Sequence, residues 1–194
     1  ASQTVDAQGR VTSAALAFDR EAGVQPGAVD AVVLHDLFPL ARFALAGYSM
    51  GGRLALAAAL RHPQRIAALV LVGATPGIAD IAGREARANA DLALAATIET
   101  GGIGAFSREW EANPLFATQA GLAPELREAM RAQRLAQDAG RLAASLRAFG
   151  TGFQPPAHGE LSRLSMPVMV MAGELDAKFA AIARDMASRI AGCT

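Results

Sequence analysis

The sequence predicts an α/β fold: a mostly parallel sheet with helices packed on it and a helical insertion between two of its strands. Three observations predict it. A short apolar run at 42–46 leads into Gly47-Tyr48-Ser49-Met50-Gly51 and then into a Leu/Ala-rich helix at 53–61, which Pro63 stops. Ile66–Val72 is a continuous apolar run of strand length, the pattern of a strand covered on both faces, and 167–172, with Val-Met-Val-Met inside it, repeats that pattern. Between those strands, 84–100, 102–110, 124–137 and 141–149 read as helices with no strand among them. Strand, tight turn, helix, strand, helices, strand and final helix is the alternation of the α/β class. The expected organisation is one domain over 1–194, with a helical cap inserted at 78–160.

The remaining elements are less strongly marked. At 31–40, Val32, Val33 and Leu37 recur at helical spacing, and Pro39 favours an exit from the helix. The stretch 1–30 mixes polar residues with glycines and carries only a weakly periodic piece at 14–18. After the strand at 167–172 comes a turn at 173–176 and a closing helix at 179–190.

Composition excludes several function classes. Hydrophobic residues make up 52% and charged residues 19%, which suits a packed core and is far from the composition of disorder. Lys plus Arg and Asp plus Glu are 18 each, so no global field draws in nucleic acid or anionic lipid, and anion recognition has to be local. No run of about 18 uncharged apolar residues could span a bilayer. The single cysteine, Cys193, has no partner for a disulfide or a metal cluster, so neither a metal nor a cofactor is expected and a reducing cytoplasm fits.

The chemistry is concentrated at Ser49. A serine hydroxyl is a poor nucleophile near neutral pH, and the Gly-x-Ser-x-Gly turn exposes it between a strand and a helix where a base can reach it. Gly47 and Gly51 supply the small neighbours such a turn needs, the helix start adds a positive dipole, and the N–H of Met50 is placed as an oxyanion donor. The acid partner of a catalytic serine belongs in a loop after a later strand, which selects Asp176; the plainer alternative is an aspartate that caps the last helix. The base is the difficulty. No histidine follows Asp176, and His35, His62 and His158 all precede it, whereas the order in this architecture is serine, acid, histidine.

Leu45 to Arg53, the Arg61-His62-Pro63 step, the run from Leu69 to Gly77, Arg84 to Asp91, Phe106 to Trp110 with Pro114-Leu115-Phe116, Gly150 to Pro155 and Gly173 to Phe179 together resemble one family. It is the menaquinone-pathway synthase family that makes 2-succinyl-6-hydroxy-2,4-cyclohexadiene-1-carboxylate, built on the α/β-hydrolase fold. The resemblance covers 31–191. It implies a lyase that eliminates pyruvate from a small polycarboxylate, with Ser49 and Asp176 in the catalytic triad. It further implies Tyr48, Arg53, Arg87, Trp110 and Arg134 as substrate-binding residues. The arginines make chemical sense, because a guanidinium holds a carboxylate through two parallel hydrogen bonds. Family members also carry early strands, a His-Gly loop and a closing histidine that this sequence does not show. The expectation is therefore an incomplete sheet, exposed apolar edges and little activity in the chain as given. Two other functions stay open: a serine hydrolase acting on an ester or carbon–carbon bond, and a non-catalytic remnant or binding protein.

Overall fold

In the computed structural model, residues 2–5, 11–15 and 42–194 are described, the first two segments as backbone strands only. The chain divides into two compact units: Ala1–Gly77 with Pro156–Thr194, and Ile78–Pro155.

In the first unit, β1 (Ser2–Val5) and β2 (Val11–Ala15) pair antiparallel, with Gln3 opposite Ala14 and Thr4 opposite Ser13. No strand signal marks this stretch, because Thr-Ser-Ala-Ala carries little of the β-branched alternation that marks a strand. The weakly periodic piece at 14–18 begins inside β2 and then leaves the described residues, as does the helix expected at 31–40.

The main sheet is built from β3 (Phe43–Tyr48), β4 (Ile66–Val72) and β5 (Val168–Met171), in the order β3-β4-β5 and parallel throughout. The last rung of the register aligns Tyr48, Val72 and Met171. Helix α1 (Met50–Arg61) follows β3, and helix α5 (Ala177–Arg189) follows β5. Leu56 from α1, Ile66, Leu69 and Leu71 from β4, Leu161 from the 3-10 turn His158–Arg163 before β5, and Met186 from α5 are all essentially inaccessible and form one core. Each such side chain contributes about 1.5–3 kcal/mol by leaving water.

Among the described residues, the expectation that β4 is covered on both faces is met closely on one face and in part on the other. Leu69 and Leu71 are buried, whereas Ala68, Val70 and Val72 are half-buried. The cause is that α1 and α5 both contribute to the same core cluster, on the Leu69 and Leu71 side. On the other face Tyr48 is 71% exposed, Met169 43% and Met171 48%. At the outer edge of β5, Thr194 donates to the Val168 carbonyl at 3.1 Å and its own carbonyl accepts the Val170 N–H at 2.9 Å.

The second unit is helical: α2 (Ile81–Glu111), a 3-10 segment (Pro114–Gly121), α3 (Pro124–Leu135) and α4 (Ala139–Phe149). Asp80, Asn113 and Asp138 each cap a start by accepting a backbone N–H. The cap at Asp138 explains why α4 begins at Ala139, two residues before the sequence estimate. Helix α2 breaks at Gly102, whose φ of 70° and ψ of −179° are not helical, so the two helices read at 84–100 and 102–110 are two arms of one kinked helix. Ala95, Ile98, Phe106 and Ala143 form this unit's core, and Arg147 grips Glu99 through two hydrogen bonds to tie α4 to α2.

Candidate active site

Ser49 has φ 51° and ψ −115°, and it is the one non-glycine residue with positive φ among the described residues. A side chain in that region is strained by roughly 1–3 kcal/mol, and such strain persists only where surrounding structure imposes it. Two bonds impose it here. The Ser49 N–H donates to the Val72 carbonyl at 2.8 Å, and the Ser49 carbonyl accepts from the Arg53 N–H at 3.1 Å, the first turn of α1. The hydroxyl caps nothing on α1 and is exposed, so it is left for chemistry. The N–H of Met50 is the first of the helix and has no acceptor within it, which suits the oxyanion role.

The turn closes because backbone passes over backbone. A Cβ added to Gly47 would lie 2.6 Å from the Gly52 nitrogen. One added to Gly52 would lie 2.7 Å from the Ala74 Cβ and 2.9 Å from the Gly47 carbonyl oxygen. Gly51, by contrast, has open space at that position among the described residues. The steric need assigned to Gly51 therefore belongs to Gly52. The missed signal is a glycine inside an otherwise strong helix former, which costs about 1 kcal/mol against alanine and so points to close packing.

Asp176 follows β5 by five residues and its N–H bonds to the Gly173 carbonyl at 3.1 Å, at the carboxyl edge where Ser49 also sits. Ser49 directly follows β3, and Asp176 stands in the loop after β5, two strands away in the same parallel sheet. Asp176 also caps α5, its Oδ1 accepting the Phe179 N–H at 3.0 Å, so the plainer cap expectation is met through one oxygen of the carboxylate. His62 closes the far end of α1, thirteen residues after Ser49. His158 lies within electrostatic reach of Asp185, which is about 13 Å along α5 from Asp176. His35 lies outside the described residues.

The three arginines divide between the units. Arg53 is one turn into α1 from Ser49. Arg87 bonds through Nε to Asp91 Oδ1 at 2.8 Å. Arg134 gives Nη2 to Glu111 Oε1 at 2.8 Å, and Glu111 also accepts from the Ser107 hydroxyl at 3.1 Å. The Arg134 hydrogen bond, with lesser help from Ser107 and from the charge of Arg131, holds the Glu111 carboxyl below its ordinary value against a partial desolvation that pushes it up. Arg134 is 17% exposed and its Nε is buried without a partner, so it is not a solvated surface arginine. It lines a cavity of about 440 Å³ in the helical unit together with Arg127, Arg131, Glu111 and Phe116; Arg87 does not line it.

Tyr48 stands beside Ser49 at the strand end, its ring 3.5 Å from where a Cβ on Gly73 would be, and it is open to solvent. Trp110 stacks on Phe116, ring centroids 4.5 Å apart, and tilts against Phe106 at 5.2 Å. Those contacts are packing within the helical unit. Among the described residues no cluster of three metal-ligating side chains occurs, and no helix is long and apolar enough to cross a membrane.

Comparison with known proteins fits this geometry. The model of a family described as the alpha/beta hydrolase fold matches residues 26–191. A Bacillus subtilis (strain 168) relative named as a 2-succinyl-6-hydroxy-2,4-cyclohexadiene-1-carboxylate synthase is 40% identical over 157 residues, 81% of this chain and 57% of that protein. The synthase of that name from Escherichia coli O1:K1 / APEC is 31% identical over 151 residues, 78% of this chain and 59% of its own. The solved structure of MenH from S. aureus superposes with a TM-score of 0.79 at 36% identity, covering 84% of this chain and 61% of that one. The chain thus spans less than two thirds of the length of each of these relatives.

Proposed function

The chain belongs to the α/β hydrolase fold family, and from that premise we propose that it serves menaquinone biosynthesis as a carbon–oxygen lyase. The substrate would be 2-succinyl-5-enolpyruvyl-6-hydroxy-3-cyclohexene-1-carboxylate and the products pyruvate and 2-succinyl-6-hydroxy-2,4-cyclohexadiene-1-carboxylate. The observation that carries the reading is the strained, uncapped Ser49 at the strand ends, in a chain similar to synthases of that name.

In the proposed reaction a ring C–H bond breaks, its electron pair becomes a ring double bond, and the C–O bond to the enolpyruvyl group breaks. The enolpyruvate released takes a proton at carbon and becomes pyruvate. Ser49 would take the ring proton as its own hydroxyl proton passes to an imidazole that Asp176 orients. The base is the member of the triad the sequence leaves unassigned, because no histidine follows Asp176 and His62 closes the far end of α1. The Met50 N–H would steady the developing negative charge. Arg53, Arg87 and Arg134 would anchor carboxylates, and Tyr48 and Trp110 would flank the ring. A small polycarboxylate, rather than nucleic acid or a membrane, is the partner this charge distribution suits, and the lone cysteine Cys193, its thiol pushed up by burial, suits a reducing cytoplasm.

Two measurements test the reading. Titration calorimetry of the chain with the cyclohexadiene product should show saturable binding that Arg87→Ala and Arg134→Ala weaken. Pyruvate release from the substrate, followed with lactate dehydrogenase, should rise when imidazole is added and be abolished by Ser49→Ala. Failure to bind the product, or binding indifferent to both arginine substitutions, overturns the assignment. Cleavage of neutral acyl esters in its place favours a serine hydrolase.

A further inference from the structure

Arg87 is held by a carboxylate that the reaction scheme does not use. Asp91, one turn further along α2, is 2% exposed, while the Arg87 side chain is 46% exposed. An ordinary pair of this spacing sits in solvent and positions nothing. Here one partner is buried, and a buried carboxylate is costly unless its oxygens are engaged. Both are: Oδ1 accepts the Arg87 Nε–H at 2.8 Å, and Oδ2 accepts the Gly152 N–H at 3.3 Å.

The turn after α4 closes over this carboxylate, and two glycines allow it. A Cβ on Gly150 would fall 2.6 Å from Asp91 Oδ2, and one on Gly152 would fall 2.8 Å from the Ala88 Cβ. The runs at 84–91 and 150–155, separate in sequence, therefore meet at one buried group.

A guanidinium has five N–H donors in a fixed fork. Asp91 takes the one on Nε, and Nη1 and Nη2 of Arg87 have no partner among the described residues. Fixing Nε removes much of the rotamer freedom of a long side chain before any ligand arrives, which is the general basis of preorganised binding. We propose that Asp91 is a positioning residue, which pins Arg87 by its Nε so that the two Nη groups face outward as a bidentate fork for a substrate carboxylate. This rests on the carboxylate-anchor role given to Arg87 above.

The test is a double-mutant cycle on the full chain, read by calorimetric binding of the cyclohexadiene product. Asp91→Asn keeps the shape and an acceptor for Gly152 while removing the negative charge that faces Arg87. It should weaken binding about five- to tenfold, and should add nothing in the Arg87→Ala background, because coupled groups are not additive. Arg87→Lys, which keeps the charge but not the fork, should bind as poorly as Arg87→Ala. A slowly exchanging Arg Nε–H resonance, assigned to Arg87 by its loss in Arg87→Lys, should exchange faster in Asp91→Asn. The proposal is overturned if Asp91→Asn leaves binding unchanged while Arg87→Ala weakens it, if the two losses add in full, or if Arg87→Lys binds like the parent. If Arg87→Ala itself has no effect, the anchor assignment falls and the positioning role falls with it, an outcome distinct from the other three. Should Asp91→Asn fail to fold, the lysine variant alone still decides.

Discussion

Gly52 approaches Ala74 so closely that a methyl group on the glycine would meet the alanine Cβ at 2.7 Å. This contact lets α1 pack down on the loop after β4 and sets how the elbow is held. Gly52→Ala should destabilise the chain by about 1–3 kcal/mol, the usual range for overpacking. Gly51→Ala meets nothing among the described residues and should be neutral or stabilising by up to about 1 kcal/mol, since alanine is the better helix former. Urea unfolding of the two variants should give shifts of opposite sign or, at the least, a clear gap between them.

The strain at Ser49 predicts a gain on relieving it. Ser49→Gly should stabilise by about 1–2 kcal/mol, because glycine adopts positive φ without a Cβ clash. Ser49→Ala keeps the Cβ and should leave the unfolding midpoint nearly where it was. Equal stabilisation by both would mean that the backbone conformation is not the source of strain.

Asp176 has two roles that substitution can separate. Asp176→Ala removes the bond to the Phe179 N–H and should cost about 1 kcal/mol. Asp176→Asn keeps a cap oxygen and should cost little, yet it should abolish any imidazole-stimulated pyruvate release, because an amide cannot stabilise an imidazolium. Loss of stability in both variants, with release retained in the asparagine form, would leave Asp176 as a cap alone.

The Glu111–Arg134 pair predicts a pH dependence. The Glu111 carboxyl is held below its ordinary value, chiefly by the Arg134 hydrogen bond, so its folded form binds protons less readily than the unfolded chain. Its contribution is therefore fully present above the unfolded carboxylate range and is lost as pH falls through the folded value. Wild type should exceed Glu111→Gln in stability at neutral pH, and the gap should narrow once pH falls below the ordinary carboxylate value. A gap that persists unchanged below that value would show that the charge on Glu111 is not what matters.

Much of this was legible in the sequence where one local rule decided the matter. Ile66–Val72 is a strand by length and composition, and the helix break at Gly102 follows from glycine's access to positive φ. The elbow, too, was readable, since Gly47-Tyr48-Ser49-Met50-Gly51 stood between a strand and a helix. What was not legible depended on contacts distant in the chain. Gly52 is required by Ala74, twenty-two residues on, and nothing in the pentapeptide singles it out over Gly51. Asp91 is marked as a partner of Arg87 by spacing alone, but its burial comes from Gly150 and Gly152, some sixty residues later. Nothing local pairs Arg134 with Glu111, twenty-three residues earlier at the end of α2, yet the two meet at 2.8 Å.

The half-covered sheet has a consequence in the chemistry of sulfur. Met169 and Met171 lie on the open face, 43% and 48% exposed, whereas Met166 and Met186, in the covered core, are 3% and 0% exposed. Thioether oxidation follows access, so mild peroxide should convert the first pair to sulfoxides well before the second. The four methionines thus carry a built-in record of which face of the sheet is shielded. Peptide mass mapping could read that record without any knowledge of substrate, and anything that comes to lie on the open face would be written there as protection of Met169 and Met171.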